Sequence, residues 1–320
     1  MDIQISYHEV LTMLYLSQLI YDYHTNEYFN LDSNESISTY IKMVNIKYDD
    51  GLDNEIFKYI KEALLYLNMN FPDCKLLTYI DNKETDTNLA ILVDDIKKNI
   101  VITFRGTESI TDCYYDLVFT KQNINNVDNL KVHKGFYEQL MSVYDEILSK
   151  LEQLLNYNNE YNIYITGHSL GSGIGTIFAY LLQDIYPNKL IKLITFGGPR
   201  VGNYTFKQNF ENKKNIIHYR ITNNRDIVTA VPFINYYHVG LNIHLESDSI
   251  FIIPYNTYST YWYGSLFHSF NVCNHKLEYY HTNLINKENQ WNELEDSFFY
   301  SEVEVLTEYD SDNDNKGLCC

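Results

Sequence analysis

The segment from Ile163 to Tyr186 restricts the fold more than any other part of this chain. IYIT runs straight into Gly167-His168-Ser169-Leu170-Gly171 and then into SGIGTIFAYLLQDIY. The short β-branched run predicts a strand and the longer apolar run a helix, with only a five-residue turn between them. A reversal this sharp puts Ser169 on a strained turn at the rim of a sheet, its hydroxyl lifted above the strands. Glycines two residues to either side keep the flanking backbones from colliding. The helix N-terminus that follows offers a positive dipole end and backbone N–H groups where an oxyanion would develop. A plain strand-to-helix turn is the competing reading of so short a pattern.

The remainder of the chain agrees with a helix-covered sheet. Apolar side chains recur at helical spacing over 5–24 (Val10, Leu11, Leu14) and 52–68 (Ile56, Tyr59, Ile60, Ala63, Leu64, Leu67). From Leu76 the period shortens to LLTYI, LAILV (89–93) and NIVITF (99–104), which predict strands, with DDIKKN as a hairpin turn before the last. A helix over 136–155 precedes YNIYITG; beyond the helix that starts at Leu170 come KLIKLITFG, a polar helix and NIIHYRIT. Such alternation predicts a mainly parallel sheet with helices on both faces. Further strands are expected at 236–245 and 250–253, and a last helix over 274–286. One domain is expected over 1–291. A solvated acidic tail is expected over 292–320, where carboxylates from Glu293 to Asp314 face only Lys316.

With 45% hydrophobic and 21% charged residues the composition is that of a globular protein. The net charge of -18 argues against a nucleic-acid partner, whose phosphates demand clustered Lys and Arg, and against an anionic membrane. Neutral lipids, zwitterionic interfaces and small esters stay open. Five scattered cysteines (Cys74, Cys113, Cys273, Cys319, Cys320) show neither zinc spacing nor a disulfide framework. The N-terminal stretch has no basic region ahead of its apolar residues and does not read as a signal peptide, so a cytoplasmic location is expected.

A serine nucleophile needs a base and an orienting acid, which in this class follow it in the order acid, then histidine. Asp226, in ITNNRDIVTAVP directly after a predicted strand, sits where open α/β sheets gather functional groups. Histidines 238, 244, 268, 275 and 281 all lie downstream.

A colinear set of motifs resembles the class 3 lipase family, which includes the filamentous-fungal triacylglycerol lipases. The motifs are VITFRGTES (101–109), VHKGFY (132–137), ITGHSLGSG (165–173), TFGGPRVGN (195–203) and RITNNRDIVTAVP (220–232). The resemblance implies an α/β-hydrolase fold with Ser169 as nucleophile, Asp226 as acid and His275, in NVCNHKLEYYHTNL, as base. It implies a second oxyanion donor at Thr107, beside the Leu170 amide, and gives Arg105 and Gly106 only the shaping of that turn. His238 has a family counterpart packed near the site. For His238, His244 and His281 a satisfied or exposed imidazole is the reading adopted.

After Thr107, Ile110, Cys113, Tyr114, Leu117 and Val118 fall on one helix face. By resemblance this is a lid over the serine; an amphipathic helix packed on the core is the alternative. Cys113 stands where family members often have Trp. Aromatic residues between 241 and 270, Tyr261, Trp262 and Phe267 among them, would suit an acyl chain or simply a core. Cys319-Cys320 resembles a prenylated terminus, although its acidic surroundings do not favour that. The expected activity is hydrolysis of acylglycerol or phospholipid esters, with no metal or organic cofactor. The contact expected with a membrane or lipid droplet is transient. A non-catalytic lipase-like interaction protein, or a serine thioesterase or peptidase, are the alternatives.

Overall fold

The computed structural model describes residues 5–25, 55–107, 120–124, 127–253 and 272–301. The expected lid residues Ile110, Cys113, Tyr114 and Leu117, the aromatics Tyr261, Trp262 and Phe267, and His268 lie outside these described residues, as do 302–320.

Three antiparallel strands, β1 (Cys74–Asn82), β2 (Thr87–Asp94) and β3 (Asn99–Phe104), begin the main sheet. The β2–β3 turn is made by Asp94, whose Oδ1 accepts from the Ile96 and Lys97 amides at 2.9 and 2.8 Å. Strand β2 is buried at every position, so both faces of the sheet are covered there and no polar alternation is required. A small pair, β4 (Lys121–Asn123) and β5 (Lys131–His133), lies apart from the sheet. Parallel strands β6 (Asn162–His168), β7 (Ile191–Phe196), β8 (Ile216–Asn223) and β9 (Leu241–Leu245) then continue from β3. Antiparallel β10 (Ile250–Ile253) closes the order β1-β2-β3-β6-β7-β8-β9-β10.

The helices are α1 (Tyr7–Thr25), α2 (Glu55–Asn70), α3 (Lys134–Met141), α4 (Tyr144–Tyr157), α5 (Leu170–Ile185), α6 (Tyr204–Glu211), α7 (Leu277–Leu284) and α8 (Glu288–Ser301). One core places α3 to α6 against one sheet face; a second places α1, α2, α7 and Trp291 of α8 against the other. This is the α/β-hydrolase arrangement, with the C-terminal ends of the central parallel strands forming one rim. Among the described residues no helix is long and apolar enough to cross a membrane.

Four boundaries differ from the sequence reading. The helix expected over 136–155 is two, because the Ser142 hydroxyl donates back to the Gln139 carbonyl at 2.7 Å and ends α3 there. The strand expected from 236 begins only at Leu241. Before it Gly240 takes φ +79°, and Tyr237 bridges instead to Gly202. The helix expected from 274 opens as a 3-10 turn over Val272–His275 and restarts at Leu277, after Lys276 adopts extended backbone. The domain boundary expected at 291 falls inside α8, which carries regular structure to Ser301.

Helix α1 is pinned across the sheet by polar contacts as well as by its apolar face. Glu9 Oε1 accepts from the Tyr164 hydroxyl and from Lys192 Nζ, each at 2.6 Å, and Ser17 Oγ meets Thr166 Oγ1 at 3.0 Å. Burial pushes the Glu9 carboxyl up, but hydrogen bonds from Lys192, Tyr164 and the Ser6 amide outweigh it and hold the group below its ordinary range. A depressed folded-state pKa gives stability that is complete above the unfolded value near 4.5 and is lost as pH falls through the folded one. Glu9→Gln should therefore cost roughly 1–3 kcal/mol at neutral pH by leaving Lys192 half-buried and unpaired. Calorimetry should show the gap to wild type closing as the pH drops below 4.5.

Candidate active site

At the end of β6 the chain turns through Ser169 with φ 55° and ψ -126° before entering α5. A side chain with a Cβ meets steric resistance at positive φ, so this conformation costs about 1–3 kcal/mol and must be imposed by its surroundings. The surroundings are visible. The Ser169 amide donates to the Phe196 carbonyl at 3.0 Å, and Ser172 Oγ donates to the carbonyls of Gly167 and Phe196 at 2.7 and 2.9 Å. A methyl on Gly171 would run into the Phe104 carbonyl, so α5 approaches β3 as closely as it does only with glycine there. The Leu170 amide is in the first turn of α5, where no carbonyl one turn back can take it.

Asp226 follows β8 on a turn in which its own amide donates to the Asn223 carbonyl at 3.0 Å. Its side chain is buried and accepts three donors: the Val228 amide at 2.9 Å, the Tyr280 hydroxyl at 2.6 Å, and His275 Nδ1 at 3.0 and 2.9 Å to its two oxygens. The bond to the carboxylate places the proton of His275 on Nδ1, leaving Nε2 with its lone pair. That Nε2 is buried and has no hydrogen-bond partner among the described residues. Beneath the pair lies Gly197 at φ +58°, where a methyl would sit 2.9 Å from Asp226 Oδ2 and 3.0 Å from His275 Nδ1. Asp226, His275 and the sheet thus meet where only glycine fits. Burial first, then the Asp226 charge and its hydrogen bond, raise the Tyr280 hydroxyl well above its usual value, so it stays a donor.

Elbow and base touch through His168. Its ring centroid lies 4.4 Å from that of His275, and its Nε2 is 2.7 Å from the His275 carbonyl. The turn after β3 closes the other side. A methyl on Gly106 would fall 2.6 Å from the His168 carbonyl and 3.2 Å from Ser169 Cβ, so half-buried Thr107 follows a backbone pressed against the elbow.

The family profile described as Lipase (class 3) matches residues 101–236. Over that span the chain is similar to the class 3 lipase family. A lipase of Rhizopus niveus is 33% identical over 183 residues, covering 56% of this chain and 46% of that protein. The secreted mono- and diacylglycerol lipase A of Penicillium cyclopium is 30% identical over 174 residues, covering 53% of this chain and 56% of that protein. The chain spans about half the length of these curated relatives. Among solved structures, lipase II from Rhizopus niveus superposes with a TM-score of 0.58 at 27% identity, covering 66% of this chain and 82% of that one.

The segment matched by the profile contains Ser169 and Asp226 but ends before His275 and Tyr280. The other downstream histidines described are engaged elsewhere. His238 Nε2 donates to the Thr229 carbonyl at 2.7 Å, His244 Nδ1 meets Thr222 Oγ1 at 2.9 Å, and His281 Nε2 meets the Tyr15 hydroxyl at 3.0 Å. Burial, followed by the nearby Arg220 and Arg200 charges, pushes His238 well below the usual imidazole range. Arg200, in the GGPR motif, has a positioning part that sequence reasoning missed. Its NH1 donates to the carbonyls of Ala230 and Pro232 at 2.6 and 3.1 Å and so fixes the loop that carries Asp226. Arg105 pairs with Asp86 at 2.8 Å, in keeping with a shaping part. Tyr280 was also missed; the signal available was an aromatic hydroxyl five residues after His275. Among the described residues no group of three or more His, Cys, Asp or Glu is placed to hold a metal ion.

Proposed function

We propose that this chain hydrolyses carboxylic esters of acylglycerols or phospholipids through an acyl-enzyme on Ser169. The observation that supports the proposal is a buried Asp226–His275 pair, whose Nε2 has no hydrogen-bond partner among the described residues, at the same sheet rim as the strained turn of Ser169. In this reading His275 Nε2 takes the Ser169 proton as the oxygen attacks the ester carbonyl. Asp226 holds the ring and stabilises the imidazolium. The amides of Leu170 and Thr107 receive the developing oxyanion, each such donor being worth about 3 kcal/mol in comparable sites. His275 then protonates the leaving alcohol and activates the water that frees the acid. The likeness of this chain to the Rhizopus lipase and the Penicillium mono- and diacylglycerol lipase supports a lipid ester as substrate.

A fluorophosphonate probe should label the wild type stoichiometrically and leave Ser169→Ala unlabelled. Absence of labelling in folded wild type would favour the non-catalytic interaction reading. A lipid interface as the working surface is part of the proposal. Hydrolysis rates should climb when substrate passes its solubility limit, and a plain saturation curve through that limit argues for small dissolved esters. A cytoplasmic setting is a separate proposal that rests on the scattered cysteines, of which Cys74 and Cys273 are free thiols. The secreted Penicillium relative does not support it. Activity recovered outside the host cells would overturn it.

A further inference from the structure

Helix α1 lies outside the segment matched by the profile, yet one of its side chains reaches the site. The Tyr21 hydroxyl is 2.9 Å from His168 Nδ1, and His168 Nε2 is 2.7 Å from the backbone carbonyl of His275. A carbonyl can only accept, so His168 must carry its proton on Nε2. Nδ1 then has a lone pair, and the Tyr21 hydroxyl donates to it. The same hydroxyl backs onto Gly106, where an added methyl would collide with it, so Tyr21 is wedged between the turn before Thr107 and the residue preceding Ser169.

We propose that Tyr21 is a positioning residue for the base His275, acting through His168. His275 sits in a short 3-10 turn, and three points fix it, one on its imidazole and two on the backbone that carries it. Asp226 takes Nδ1, Asn223 Nδ2 donates to the Asn274 carbonyl at 2.9 Å, and His168 donates to the carbonyl of His275 itself. If His168 changed tautomer or its ring turned, a lone pair would face that carbonyl oxygen and the third point would be lost. Tyr21 prevents this by giving the inner nitrogen a donor. Burial, and then the neighbouring His275, hold His168 well below the ordinary imidazole range. An uncharged ring therefore lies beside His275 when the latter becomes cationic in the reaction. A base shifted by a fraction of an ångström loses rate while substrate binding is unaffected, which separates this role from packing of α1.

The inference rests on the proposed hydrolase reading, and its test keeps the two apart. Tyr21→Phe removes one oxygen and should lower kcat per probe-titrated site about tenfold while KM stays within about twofold. His168→Phe keeps the ring but not the nitrogens. If Tyr21 acts through His168, adding Tyr21→Phe to His168→Phe should change kcat no further. His168→Gln, which retains an N–H donor, should keep more activity than His168→Phe. An unchanged kcat in Tyr21→Phe, or fully additive losses in the double variant, would overturn the proposal. Nitrogen NMR of the His168 ring gives a readout without turnover: wild type should show the Nε2–H tautomer, and Tyr21→Phe should move the Nδ1 resonance. If wild type were not labelled by the fluorophosphonate, the hydrolase reading would fall. Indifference of the His168 nitrogens to Tyr21→Phe would still sink the brace by itself.

Discussion

The buried carboxylate of Asp226 sets the terms for everything around it. An ionised group removed from water costs several kcal/mol unless donors replace its hydration. Here those donors come from three separate places: the backbone of its own loop, the hydroxyl of Tyr280 on α7, and the ring of His275 ahead of that helix. The charge can remain in the interior only if α7 docks on the sheet, and the loop after β8 can hold its course only if Arg200 ties it to the turn after β7. Asp226 therefore organises the chain from the turn after β7 through α7 as well as orienting the imidazole.

Geometry at the other half of the site is enforced by backbone, not charge. Ser169 holds an unfavourable conformation because β7 supplies the carbonyl its amide needs and because Ser172 ties the elbow down with two bonds. Parallel strands make this feasible. Neighbours β3, β6, β7 and β8 all end on the same rim, so turns that leave them meet one another. An antiparallel sheet would have sent half of those turns to the opposite end.

Much of this was readable beforehand. The strand-turn-helix around Ser169, the hairpin at Asp94, the turn after NIIHYRIT and the α/β alternation each have a local cause, and local causes leave a local pattern. What stayed hidden depends on contacts between distant residues. Nothing in the spacing of Arg200 says that its guanidinium reaches Ala230 and Pro232, and nothing in an apolar helix over 5–24 says that Tyr21 reaches His168. The break between α3 and α4 was missed because a serine hydroxyl folding back on a carbonyl competes with apolar periodicity that runs on past it. The family resemblance selected His275 among five histidines; the structure adds that the alternatives within its described residues have other partners.

The profile match ends at residue 236, while the imidazole paired with Asp226 and the hydroxyl beside it come from 275 and 280. The profile match and the imidazole that pairs with Asp226 therefore lie in different stretches of this polypeptide. A cousin could agree at every position of the shared stretch and still arrive without a proton acceptor. Sorting working members from inert ones requires reading the residues beyond 236, which the profile does not cover.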